Sequence, residues 1–297
     1  MIKKGFGEIL SDSWKEYRYN WKVYFLIILL LSIIPSLILF LVQIVFMRDV
    51  ITYAANPDAI RVFSATLVIK YLILFLFSLI IGILGVWLHA SIIYSSLSRK
   101  KLVKFKESLA GGRKYFWKYL GLSLLMLIIF FSIILIAFIF FALGVILIIY
   151  LGIQNPISII TVILLILLVI AVILLYAYLV VRWLFSAYIL IGENKGIIHS
   201  IKLSSNLVRG RWWKTFGYIF LFFLIAFIIL IALSLIYLII RFIINPNYLL
   251  NPTSIDVNLY ILNRFISMIF EFFGNLVFTP LSLLFIKNLY LTWKSSK

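Results

Sequence analysis

The chain has 297 residues, 65% of them hydrophobic and only 12% charged, whereas a soluble domain is about 45–50% apolar and about 25% charged. That composition leaves too little polar surface for a water-soluble globule. The 27 Lys and Arg against 9 Asp and Glu give a formal net charge of +18, and with no Cys and two His, disulfide frameworks, thiol chemistry and zinc clusters lack ligands.

Residues 1–22 read as an amphipathic helix. Ile2, Phe6, Ile9, Leu10, Ser13, Trp14, Tyr17 and Trp21 share one side, and Lys4, Glu8, Ser11, Lys15, Arg18 and Lys22 the other. Such a helix suits the headgroup layer, with rings toward lipid and basic groups toward anionic headgroups. Residues 23–297 follow as a single membrane domain. A bilayer core about 30 Å thick needs roughly 20 apolar residues per helix. Six apolar runs meet that length, at 23–47, 71–95, 119–143, 157–181, 215–240 and 262–286, the first five free of Asp, Glu, Lys and Arg and the sixth interrupted only by Arg264 and Glu271. Apolar sequence continues to Tyr150 after the third and to Ile244 after the fifth. None alternates polar and apolar residues as a barrel strand would, so the fold class is all-α, a polytopic membrane protein of six transmembrane helices. Asn-Pro turns at Asn56-Pro57, Asn155-Pro156, Asn245-Pro246 and Asn251-Pro252 pair these spans into three helical hairpins. The first run is too long for a cleavable signal core, and Met-Ile-Lys lacks the glycine that myristoylation uses, so anchoring by spanning is expected.

In the second span Ser78, Gly82 and Gly85 read as a close-packing seam, with His89 on the same face. The next connection holds Gly111-Gly112, expected to release its helix before the third span. The fourth connection places Ile197, Ile201, Ser204, Ser205, Val208 and Trp212 on one face, and Gly210 is expected to release that helix. The pair Trp-Lys recurs just before the first, third and fifth spans as Trp21-Lys22, Trp117-Lys118 and Trp213-Lys214, each 96 residues apart. That spacing predicts a threefold internal repeat of an interfacial segment, a span, an outer loop and a span. Trp14, Arg18, Trp21, Lys22, Trp117, Lys118, Arg211, Trp212, Trp213 and Lys214 are the candidate lipid-interface residues.

Of the 27 basic residues, 22 lie in the N-terminal arm, the second and fourth connections and the C-terminal end. The positive-inside rule therefore predicts that both termini are cytoplasmic, in the inner (cytoplasmic) cell membrane. Read this way, the +18 points to anionic lipid headgroups as partners, with a membrane protein as a further partner, and not to nucleic acid.

The sixth span carries the one acid deep in a span. Arg264, Ser267, Glu271, Asn275, Thr279 and Ser282 fall within about 60° of one line down that helix. Pro280 removes a backbone donor in the same stretch and frees a carbonyl. Three readings stand for the stripe: hydrogen bonding between helices, a proton- or cation-coupled pathway through Glu271, and a site for a lipid headgroup or polar solute. Enzymatic use lacks a second titratable group within reach, so no catalytic, cofactor or metal residue is assigned. No phosphate-binding glycine loop is present, since Gly5-Phe6-Gly7 lacks the third glycine and a preceding strand.

The stretch from Glu193 to Ser204, Glu-Asn-Lys-Gly-Ile-Ile-His-Ser-Ile-Lys-Leu-Ser, running on through Asn206-Leu207-Val208-Arg209-Gly210-Arg211-Trp212-Trp213-Lys214, resembles the membrane-domain family attached to some glycerophosphodiester phosphodiesterases. The stretch Phe6-Gly7-Glu8 to Trp14 and Trp21 fits the same pattern. The phosphodiesterase barrel of that family has no counterpart here, so no catalytic residue carries over. The resemblance implies a six-helix membrane module. The expected function is a non-enzymatic module engaging lipids or a membrane partner, with a transporter or channel using the stripe around Glu271 as the alternative.

Overall fold

The computed structural model describes residues 4–54, 65–98, 102–152, 154–244 and 257–296. Ile2, Asn56-Pro57, Asn245-Pro246 and Asn251-Pro252, named above, lie outside them, as do Lys3, Arg61, Arg99, Lys100, Lys101 and Lys297 among the 27 basic residues. Among the described residues the protein is all-α: α1 (Phe6–Ile28), a π-turn (Leu29–Ile33), α2 (Ile34–Ala54), α3 (Ala65–Leu97), α4 (Phe105–Leu151), α5 (Pro156–Trp183), α6 (Ser186–Gly192), α7 (Ile197–Val208), α8 (Trp212–Ile244) and α9 (Val257–Lys294). Six helical stretches are long and apolar enough to cross a membrane, the first formed by α1, the π-turn and α2 in series. This is a polytopic membrane protein. The apolar runs at 119–143 and 215–240 do extend, to Leu151 and Ile244.

The chain divides into two compact units, one of Met1–Phe116 with Gly217–Lys297 and the other of Trp117–Phe216. In the first, α1 is the central element. The Glu8 side chain accepts the Gly5 N–H at 2.8 Å and caps its start. From there Ile9, Ser13, Tyr17, Asn20, Tyr24, Ile27 and Ile28 recur at helical spacing as a buried stripe that packs on α9. Trp14 and Trp21, expected on the same apolar face as Ile9 and Tyr17, are exposed at its flank. Lys22 marks no break. No Gly or Pro lies between Gly7 and Pro35, so the helix runs on until the π-turn, where Ile34 N–H reaches back to Leu29. Pro35 has no N–H to offer and so favours a widened turn just before it.

Gly111 and Gly112 do not release a helix. α4 runs through them for 47 residues, roughly 70 Å at 1.5 Å per residue. They let α4 meet the end of α3: a Cβ on Gly111 would lie 2.0 Å from Tyr94 Cδ1, and one on Gly112 2.0 Å from Ser91 Oγ. The Trp87 indole N–H donates to the Leu109 carbonyl at 3.2 Å across the same contact. Gly82 and Gly85 correct the packing expectation the other way, because nothing described lies within 4 Å of a Cβ at either. His89 Nδ1 bonds the Gly85 carbonyl of its own helix at 2.8 Å. α8 and α9 face each other through rings: Tyr218 on Trp293 (5.9 Å), Phe222 on Phe285 (4.6 Å) and Tyr237 on Phe270 (5.7 Å). Phe6 rests on Tyr218 as well, at 5.9 Å, so the first and last described helices share that ring.

In the second unit Asn155 caps α5, its Oδ1 accepting the Ile157 N–H at 2.9 Å ahead of Pro156, as the Asn-Pro turn requires. Gly144 of α4 makes room for Leu165 of α5. Two buried hydroxyls bridge the α5–α6 break: Ser186 donates to the Trp183 carbonyl, and Ser204 Oγ of α7 accepts the Phe185 N–H at 3.1 Å and donates to the Arg182 carbonyl at 2.8 Å. Gly210, at φ +77°, ends the α7 segment as expected and turns the chain into α8.

Candidate intramembrane site

The polar stripe forms on α9 because its members recur every three or four residues and so stack on one line. Arg264 Nη1 reaches two turns along the helix to Glu271 Oε1 at 2.9 Å and touches Ser267 Oγ at 3.3 Å. Ser267 Oγ in turn donates to the Arg264 carbonyl at 2.8 Å. Further on, the Thr279 hydroxyl points at Asn275 Oδ1 at 3.5 Å, and Ser282 donates to the Thr279 carbonyl at 3.0 Å. Among the described residues every hydrogen bond of this stripe stays within α9, so it does not serve as hydrogen-bonding glue to a neighbouring helix.

Two cavities border the stripe instead. One, of about 340 Å³, lies between α8 and α9 and is walled by Leu230, Leu233, Phe270 and Phe278, with Ser234, Tyr237, Ser267, Glu271 and Asn275 as polar groups. The other, of about 190 Å³, lies between α9 and the π-turn with α2, and has Ser32 and Ser36 facing the same Glu271 and Asn275. Glu271 and Asn275 thus stand on the partition between both. The side chains of Arg264 and Glu271 are 39% and 56% exposed. Insertion scales put a charge at mid-bilayer at about 2.5–3.5 kcal/mol, so an ion pair left this open calls for a polar companion.

A second polar cluster ties α1 to α9 further toward the C-terminal end. The Tyr17 hydroxyl donates to the Leu276 carbonyl at 3.3 Å. Asn288 Nδ2 donates to Ser13 Oγ at 3.0 Å, buried Lys287 pairs with Glu16, and Asn20 Oδ1 accepts the Val103 N–H at 3.2 Å. Sequence reasoning missed this cluster. Its signal was there in Ser13, Glu16, Tyr17 and Asn20, polar groups on or beside the face that α1 buries.

The candidate interface residues fall in the two units separately. In the first, Lys22 lies 5.9 Å over the Trp21 ring, Trp14 leans on Tyr17 at 5.5 Å, and Arg18 is exposed. In the second, Trp117 and Trp213 are each 77% exposed, and Lys118 Nζ donates to Asn194 Oδ1 at 2.9 Å. Trp212 stacks on Phe216 at 5.3 Å and donates its indole N–H to the Tyr178 carbonyl at 3.3 Å. Arg211 caps the following turn by accepting the Thr215 hydroxyl at its carbonyl, and Lys214 is exposed. Among the described residues no group of three or more His, Asp or Glu comes together that could hold a metal.

No curated protein and no solved structure matches the chain. A family model described as "Domain of unknown function (DUF7847)" matches residues 23–280, which reaches into all six apolar stretches and covers the α9 stripe from Arg264 to Thr279. The chain belongs to this family.

Proposed function

We propose that this protein is a non-enzymatic membrane module that engages lipid, holding an amphipathic ligand in the α9 cleft. The observation that supports this is Glu271, half-open and paired with Arg264, lining two cavities in which Ser, Asn and Tyr groups stand among Leu, Ile and Phe walls. A ligand matched to such walls has a polar head and an apolar body. The basic ends of the helices then rest against anionic headgroups on the cytoplasmic side, with both termini there, and the exposed Trp14, Trp21, Trp117 and Trp213 lie at headgroup level. Three packing relations support the threefold unit: α1 packs on α9, the start of α4 on the end of α3, and α7 on α5 and α6, so that each lead-in segment rests on the end of a hairpin. The likeness to the membrane domain of glycerophosphodiester phosphodiesterases belongs to the same reading.

The test is native mass spectrometry of the full chain extracted from membranes. A retained lipid is expected on the wild type, lost in the charge-neutral double variant Arg264→Ala/Glu271→Ala. A wild type that carries none overturns the reading. A second reading, transport coupled to an ion, is favoured by Glu271 and Asn275 lining both cavities. It requires that Glu271→Gln abolish proton or solute flux in liposomes.

A further inference from the structure

The unsatisfied valences of the α9 site are specific in sign. Arg264 uses only Nη1, leaving Nη2 and Nε without a partner among the described residues. Among the described residues Glu271 uses only Oε1, leaving Oε2 open, and the Asn275 amide N–H groups are likewise unspent. The pair is neutral as a whole. A purely anionic headgroup on the free guanidinium edge would leave the site one negative charge in excess, and a purely cationic one on the open carboxylate oxygen one positive charge in excess, each stranding a charge in a low-dielectric setting. A head that carries both signs strands neither. Its anion takes the free guanidinium edge, where two parallel N–H groups suit a phosphate, and its cation takes the open carboxylate oxygen.

We propose that the α9 cleft is a zwitterion site selective for a primary ammonium, and that its occupant is an aminophospholipid of the phosphoethanolamine class. This rests on the lipid reading above and names its headgroup. The primary ammonium offers three N–H donors, which Glu271 Oε2 and the hydroxyls of Ser32 and Ser36 on the π-turn side can accept. A quaternary choline offers none, so it forfeits those bonds while keeping the same charge. The acyl chains lie along Ile33, Leu37, Phe265, Ile269 and Phe272, the apolar walls of the cavity that holds those hydroxyls.

The experiment titrates the delipidated full chain in detergent with short-chain phosphatidylethanolamine, phosphatidylcholine and phosphatidylglycerol of one chain length, and with free phosphoethanolamine, reading bound mass by native mass spectrometry. Phosphatidylethanolamine is expected to bind roughly tenfold tighter than phosphatidylcholine, the factor given by one hydrogen bond to a charged group. Glu271→Gln should erase that preference, Glu271→Asp should keep part of it, and Arg264→Gln should weaken both zwitterions alike. Equal binding of all three lipids overturns the headgroup assignment and leaves the lipid reading standing. Binding of none overturns both. Free phosphoethanolamine binding as tightly as the chain-bearing lipid overturns the lipid as its source in favour of a soluble zwitterion. Because the wild-type ranking is itself decisive, a variant that fails to fold does not shelter the proposal.

Discussion

Tyr17 of α1 donates its hydroxyl to the carbonyl of Leu276, the group four residues before Pro280 in α9. In an uninterrupted helix the N–H of residue 280 would take that carbonyl, and proline has none to give. A side chain from the first helix thus satisfies a backbone group that the last helix orphans. Tyr17→Phe is expected to destabilise the protein by about 1–2 kcal/mol in detergent unfolding. In a Pro280→Ala background, where the helix supplies its own donor, the same substitution should cost clearly less. Equal costs in both backgrounds would separate Tyr17 from Pro280.

Lys287 and Glu16 form the buried ionic link between the same two helices. Lys287→Ala or Glu16→Ala should each lower stability by about 3–5 kcal/mol, since each leaves its partner charged without a counterion. The double change Glu16→Leu/Lys287→Met should recover most of the loss, which thermal unfolding of the purified variants will show.

Two pairs of glycines should behave oppositely. A methyl on Gly112 meets the Ser91 hydroxyl and backbone, so Gly112→Ala is expected to destabilise by about 1–3 kcal/mol. Gly82→Ala meets nothing described and should be neutral or stabilising by up to about 1 kcal/mol. Melting temperatures of the two single variants decide the matter.

Ser204→Ala removes the two bonds by which α7 ties the α5–α6 break, those to the Phe185 N–H and the Arg182 carbonyl. The expected loss is about 1–3 kcal/mol, and protease cleavage near residue 185 should rise with it.

Orientation is testable in the Cys-free background. Lys104→Cys should resist membrane-impermeant maleimide in intact cells and react once they are opened. Labelling from outside would reverse the assigned topology.

The six spans were legible because lipid admits only helices and closed barrels, and long apolar runs without alternation, such as 119–143, fit only the first. The stripe from Arg264 to Ser282 was legible for the same reason, since polar groups at helical spacing stand out in apolar sequence. The cavities beside it were not, because they depend on how far Leu230 and Ser32, remote in sequence, stand from α9. Pro280 announced an orphaned carbonyl, yet nothing local pointed to Tyr17, 259 residues from Leu276. Gly111-Gly112 was read as a helix end because glycine permits either a break or a close approach. Only the position of Tyr94 and Ser91 decides between them.

The α1–α9 seam also sets an order of events in the cell. Glu16 and Lys287 are 271 residues apart. At about 5–20 residues per second, the ribosome needs roughly 15–55 s to deliver the second after the first. During that interval Ser13, Glu16 and Tyr17 face the membrane without the groups of α9 that they meet in the finished fold. The first helix to be synthesised is therefore among the last to be finished, and a chain stalled before Lys287 would expose a polar face for quality control to find.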